Sequence, residues 1–198
     1  MARIGFKQAK YNKIVGDKYA ELTENKVPLF ERVVDEKFNP EFNTAELYAN
    51  DGLAETDYSF KKGALTLTIA DDEDNFVAEL FGNAITPEGE TTSNIDDTAP
   101  EFGYGHIVPK MVKGVKKYKV EYFPRVKFTK ITTDNKTRGE NVEFGTTSLE
   151  GTVFPLAEAV NGLKVGDWEK HQTFATLEEA EAYLDKLLTP ASETPASE

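Results

Sequence analysis

The chain has 198 residues, with 23 Lys+Arg against 35 Asp+Glu and a formal net charge of −12 at pH 7. That length allows one ordinary domain or two small ones. The absence of cysteine excludes disulfides, thiolate metal sites and Cys nucleophiles, and the acidic balance argues against a surface built throughout to grip nucleic-acid phosphate. No apolar stretch approaches the ~20 residues needed to span a bilayer. Lys7 comes too early for a signal-peptide core, so a soluble protein kept in a reducing compartment is expected.

Most of the chain reads with the period of two that marks strands. Asn50-Asp-Gly52 is a turn signal. After it, Ala54 to Phe60 alternates, with Glu55, Asp57 and Ser59 on one face and Ala54, Thr56, Tyr58 and Phe60 on the other. Lys62-Gly63 reads as a second turn, followed by a strand in which Leu65, Leu67 and Ile69 face one way. The acidic run Asp71–Asp74 predicts the start of a helix over Asn75–Asn83, with Phe76, Leu80 and Phe81 on its apolar side. It lacks the alternating ligands and central glycine of a calcium loop. Thr86 to Ala99 is polar, with Pro87 and Gly89, and predicts a long exposed loop or protruding hairpin.

Tyr118 to Thr129 predicts a long half-buried strand. Its even positions are apolar and its odd positions, Lys119, Glu121, Arg125 and Lys127, form a wet basic face. Pro124 cannot donate to a ladder and is expected at an edge or bulge. Between Asn141 and Phe154 the apolar parity changes, which predicts a bulge near Gly145. Thr176-Leu-Glu-Glu179 has the form of a capping box. It opens a helix whose stripe of Leu177, Ala180, Leu184, Leu187 and Leu188 needs a surface to dock on. The closing decapeptide repeats Thr-Pro-Ala-Ser-Glu and reads as a flexible tail. The expected class is mainly β, an antiparallel β-sandwich or barrel with one flanking helix and one C-terminal amphipathic helix.

The charge is segregated. Between His106 and Arg138 lie ten basic residues and only two acids, a local net of +8, which leaves −20 on the remainder. No catalytic constellation emerges. His171 has no partner pattern, Gly103-Tyr-Gly105 lacks the rest of a dinucleotide fingerprint, and Asn135-Lys-Thr137 matches a glycosylation sequon without a secretory context. The expectation is a structural or binding protein, with no enzymatic activity, cofactor or metal.

Six segments, taken in order, carry a family resemblance over about residues 2–155. They are Ile4-Gly-Phe-Lys7, Ala45-Glu-Leu-Tyr-Ala-Asn-Asp-Gly52, and the strand from Phe60 through Gly63 to Thr68. Then come Asp97-Thr-Ala-Pro100 with Phe102-Gly-Tyr-Gly105, the strand Lys119-Val-Glu-Tyr-Phe-Pro-Arg125-Val126, and the stretch from Gly139 to Thr152. This order resembles the major tail (tail tube) proteins of long, non-contractile-tailed phages of Gram-positive bacteria. The resemblance implies a tail-tube-like β-sandwich over 1–155; the extension with a helix over 156–188 and the flexible tail over 189–198 lie outside it and match nothing in the family. It also implies hexameric rings stacked into a virion tail tube that conducts DNA without binding it specifically. The implied partners are the chain itself and the tape measure, tail terminator and distal tail proteins, with no membrane.

On that resemblance, Glu55, Asp57 and Ser59 are expected to line an acidic lumen that repels phosphate. Lys110, Lys113, Lys116, Lys117, Lys119, Arg125 and Lys127 are expected to meet acidic surface on a neighbouring subunit. Two alternatives remain open at this point. One is the inner tube of a contractile tail or secretion machine. The other is a carbohydrate-binding module using Tyr11, Tyr48 or Trp168 as stacking platforms.

Overall fold

The computed structural model describes residues 2–3, 5–22, 26–30, 32–49, 52–70, 73–133 and 146–190, with the side chains of 2–3, 47–49 and 52–57 outside the description. In chain order the elements are β1 (Ala2–Arg3), β2 (Lys7–Val15), β3 (Lys18–Tyr19), β4 (Val33–Ala49), β5 (Gly52–Ile69), α1 (Asp74–Phe81), β6 (Ala84–Ile85) and β7 (Thr91–Thr92). They continue with β8 (Phe102–Val112), β9 (Val115–Thr133), β10 (Thr147–Val153), β11 (Lys170–Phe174) and α2 (Leu177–Leu188). The protein is mainly β, as its alternation requires. One nine-stranded antiparallel sheet runs in the order β3-β2-β8-β9-β10-β5-β4, with β1 added on β8 and β11 on β9. β6 and β7 form a separate small hairpin within the polar Thr86–Ala99 region and its approach.

The sheet curls until its last strand returns over its middle. Phe38 of β4 packs on Phe123 of β9 at 4.6 Å between ring centroids, and the Tyr104 hydroxyl of β8 donates to Glu36 Oε2 at 2.8 Å. Inside the curl lies one core, built from Tyr11, Phe30, Leu65, Leu67, Phe102, Tyr104, Val126, Phe128 and Leu149 with α1 against it. A second core lies on the opposite face, where Ile107, Val120 and Tyr122 meet Leu156, Val160, Leu163 and the apolar stripe of α2. The centre of β8 and residues 120–124 of β9 are therefore buried on both sides.

This corrects the expectation that β9 presents one wet basic face along its whole length. Pro124 supplies the reason. It sits where β8 and β9 slip register, Phe102 pairing with Val126 and Tyr104 with Phe123, so β9 carries one extra residue there. Even positions before the bulge, Val120 and Tyr122, point toward α2, and even positions after it, Val126 and Phe128, point into the other core. Pro124 also falls between the end of the β11 pairing at Tyr122 and the start of the β10 pairing at Val126, so its missing N–H deprives no partner. The bulge expected near Gly145 lies outside the described residues. A second register shift occurs where Glu150 pairs with Lys130 and Gly151 with Phe128.

The turn expected at Lys62-Gly63 is absent. Both residues lie inside β5, which runs unbroken for 18 residues against the 17 of β4. Gly63 is there for close approach: a Cβ at this position would stand 2.3 Å from the Phe38 ring. The β4–β5 pairing extends from Val33↔Ile69 to Ala49↔Gly52; Asn50 and Asp51 of the expected Asn50-Asp-Gly52 turn lie outside the described residues.

Helix α1 begins at Asp74, one residue before the expected start, with Glu73 as N-cap but no side-chain capping bond, and it ends at a left-handed Gly82. Helix α2 has the full capping box: Thr176 Oγ1 accepts from the Glu179 N–H and Glu179 Oε2 accepts from the Thr176 N–H. It docks on the molecule's own sheet. Asn12 Nδ2 donates to Leu188 O, Lys10 pairs with Asp185, and Leu184 is fully buried against β8 and β9. The closing residues 191–198 lie outside the described residues. Because α2 completes the second core, Leu184→Ala should destabilise the whole protein by about 2–5 kcal/mol in a denaturant titration. A loss below about 1 kcal/mol would show that α2 is peripheral to the cooperative unit.

Candidate functional site

Three features stand out as places where this chain can act. The first is the ribbon formed by the distal halves of β4 and β5. Strand β10 pairs with β5 only over Gly63–Ile69, so among the described residues Gly52–Lys62 has no strand partner but β4. The outer edge of β4 has no strand partner at all among them. The ribbon is about 35 Å long at ~3.3 Å per residue. It is exposed on both faces over Glu41–Glu46, with Phe42 49% and Tyr58 66% accessible. At its root Trp168 stacks on Phe60 at 4.0 Å, and Phe42 packs edge-on to Phe60. Glu55 and Asp57 pair by backbone with Leu47 and Ala45; their side chains lie outside the described residues, and Ser59, the third of that set, is exposed.

The second feature is the β8–β9 hairpin tip. Lys113 and Gly114 take positive φ of 50° and 80°, the two-residue turn that suits twisted strands. Around it Lys113 and Lys116 are exposed and Lys117 is half-buried, with Met111 and Val115 exposed between them. The basic residues expected at a subunit contact divide here. Lys119 is bonded to Glu121 at 2.6 Å, and Arg125 grips Glu101 through Nε at 2.8 Å and Nη2 at 2.6 Å while donating to Pro155 O. Those two cations are engaged within the subunit. Lys110, which pairs by backbone with Arg3, and Lys127 are half-buried. Of this set, Lys113 and Lys116 are the ones exposed to solvent.

The third feature has no counterpart in the sequence reading. His106, 2% accessible, lies at the floor of a cleft of about 410 Å³ lined also by Phe6, Phe38, Lys119, Phe123 and Glu169. Its ring stacks on Phe6 at 4.8 Å. Nδ1 stands 3.0 Å from Glu36 Oε2, off the hydrogen-bond direction, and Nε2 stands 3.3 Å from Glu121 Oε2. A neutral imidazole would turn a lone pair toward one of these carboxylates, so the geometry calls for imidazolium. Burial lowers the His106 pKa, but the Glu121 and Glu36 carboxylates beside its two nitrogens outweigh that and raise it. Burial likewise opposes the charge on Glu121, and the bonds from His106 and Lys119 hold its carboxyl well below the usual range. Burial and then the Glu36 charge push the Tyr104 hydroxyl up, so it remains a donor. The arrangement ties β4, at the root of the ribbon, to β8 and β9.

A chemical signal for this bridge was present in the sequence. His106 interrupts the apolar run Phe102–Pro109, and Glu121 stands between Val120 and Tyr122, so each polar group was destined for burial and needed a partner. Among the described residues no group of three His, Asp or Glu is placed to hold a metal ion. Among them, too, no helix is long and apolar enough to cross a membrane. His171 is exposed, 3.6 Å from Glu169. Of the aromatics considered as sugar platforms, Tyr11 is buried in the inner core, Trp168 lies against Phe60, and the Tyr48 side chain is outside the described residues.

The bridge predicts a pH dependence. A histidine whose folded pKa exceeds its unfolded 6.5 contributes stability that is complete below about 6.5 and is lost as pH rises through the folded value. Glu121, with its pKa lowered, contributes stability above the ordinary carboxylate range and loses it as pH falls. Asp35, Glu36, Lys119 and Glu169 also line the cleft around His106 and Glu121. Unfolding titrations across pH should therefore show wild-type stability declining on the alkaline side. His106→Gln should be less stable near neutrality by roughly 3–5 kcal/mol, as for any broken buried pair, and should lack that alkaline decline. Parallel curves for the two proteins would contradict the bridge.

No protein-family model matches this chain and no curated protein is significantly similar to it, so the function rests on the geometry above.

Proposed function

We propose that the chain is a self-assembling structural subunit of the tail-tube kind, in which copies form rings and stacked rings form a hollow conduit for DNA. The observation that carries this reading is the β4–β5 ribbon, which over residues 41–49 and 52–62 has no further strand partner on either side among the described residues. An isolated two-stranded hairpin is marginal in water. Long unpaired strand edges are a liability that proteins cover, charge or close. Here the ribbon is fixed at its root by the Glu36–His106–Glu121 bridge and the Trp168 stack, yet carried clear of the rest of the sheet. That construction suits a strand pair completed by the ribbons of neighbouring copies, which together close a barrel without edges.

The segment order that resembles phage tail tube proteins supports the same reading independently of the ribbon. The face carrying Glu55, Asp57 and Ser59 is then lumenal, its two carboxylates repelling DNA phosphate so that the duplex slides. Loading and closure of such a tube would fall to tape measure, terminator and distal tail proteins, and the assembled location is the virion tail. The subunit acts by assembly, with no catalytic step.

Negative-stain microscopy and sedimentation of the concentrated, purified chain test the reading. Rings or tubes about 100 Å across, the size expected of six domains of this mass around a channel, are the predicted result. A monomer that persists at every concentration would contradict it.

A further inference from the structure

We infer that the β8–β9 hairpin tip is a docking surface for the acidic 84–97 arm of a second copy, a head-to-tail contact separate from ribbon pairing. This deepens the assembly reading above by naming the chemistry of one of its contacts.

The basis is a polarity along one strand. From Asp71 to Glu101 the sequence has ten acids and no Lys or Arg. This segment forms α1, the β6–β7 hairpin and the turn that leads directly into the Phe102 end of β8. At the other end of β8, about 35 Å away for 11 strand residues, stand Lys113, Lys116 and Lys117. Among the described residues the molecule thus has an acidic end and a basic end, separated by the length of one strand. Lys119, Arg125 and Lys130 are engaged by Glu121, Glu101 and Glu150.

The acidic arm is a shaped surface. Asn94 and Asp97 close a turn through Asn94 N–H to Asp97 Oδ2 at 2.6 Å and Asp97 N–H to Asn94 O at 3.1 Å. Asn83 Nδ2 donates to Ser93 Oγ at 3.0 Å, tying the arm's base. At the turn Ile95 is 98% accessible, flanked by exposed Asp96, with Glu88 and Glu90 exposed on the hairpin. The basic end carries matching apolar surface in Met111 and Val115. Each end therefore offers one sign of charge around an exposed aliphatic contact, the makeup of an apolar centre with a charged rim. Because the two ends differ, the contact is heterologous and extends copy after copy. Ribbon pairing closes rings, and the end-to-end contact stacks them.

Charge reversal on the full chain tests this. Lys113, Lys116, Glu88 and Glu90 are solvent-exposed, so thermal melts of the variants should match wild type and confirm folding. Lys113→Glu/Lys116→Glu alone and Glu88→Lys/Glu90→Lys alone should each raise the concentration for tube growth roughly tenfold or more, because like charges then face each other. Both should leave rings intact. Mixed one to one, the two variants should elongate again, since each reversed end meets a complementary one. Tubes of wild-type length from either variant alone, or a mixture that fails to elongate, would overturn the inference while leaving ring formation standing. If wild type forms no rings but associates end to end in a salt-sensitive way that each reversal abolishes, the inference holds and the tube reading fails. A wild-type chain that stays monomeric at low salt overturns both.

Discussion

A backbone amide in a strand must find an acceptor, and among the described residues the β4–β5 ribbon has no further strand on either edge to supply one. Strand β10 stops at Gly63, and beyond it β5 has only β4 beside it among the described residues. The rest of the molecule is arranged around this condition. The central strands are flanked on both sides: β8 by β2 and β9, and β9 by β8 and by β10 and β11 over different stretches. The ribbon is the longest stretch of edge without a further strand partner among the described residues, and water satisfies its outward polar backbone.

A projecting ribbon is useful only if its root is stiff, and two devices supply that. Phe38, Phe60 and Trp168 stack across the base, with Gly63 leaving room for the Phe38 ring. Behind them Glu36 holds the Tyr104 hydroxyl and faces His106, which in turn faces Glu121. Buried charges cost free energy unless each meets a partner. The three elements that contribute them are therefore held in one register, because a slip of β4 by one residue would carry Glu36 to the opposite face. On the far side of the sheet α2 braces β8 and β9, so the strands that receive the ribbon are themselves packed on both faces.

The parts of this structure that were legible in the sequence are those set by local rules. The Thr176–Glu179 capping box, the alternation of Leu65, Leu67 and Ile69, and the proline that must avoid a ladder all appear where periodicity and hydrogen-bond capacity put them. What was not legible depended on tertiary context. Lys62-Gly63 has turn composition, yet Gly63 answers to the Phe38 ring across the strand. The odd positions of β9 look like a basic surface, but Glu121 and Phe123 are covered because the sheet curls back over them. The His106 bridge joins residues 36, 106 and 121, a separation no local pattern encodes. The segregation of charge was visible as arithmetic; which lysines remain available emerged only when Lys119 and Arg125 were found engaged.

Within a net charge of −12, three groups of acids stand out: buried carboxylates at the root of the ribbon, an acidic arm at one end of β8, and acids along the ribbon itself. The account depends most on the ribbon edges. Amide hydrogen exchange of the full chain, compared between dilute monomer and assembled material, reads them directly. The account predicts that amides over 41–49 and 52–62 exchange rapidly in the monomer and become protected on assembly, while those of β8 are protected in both. Ribbon amides that stay equally exposed in the assembled state would contradict it.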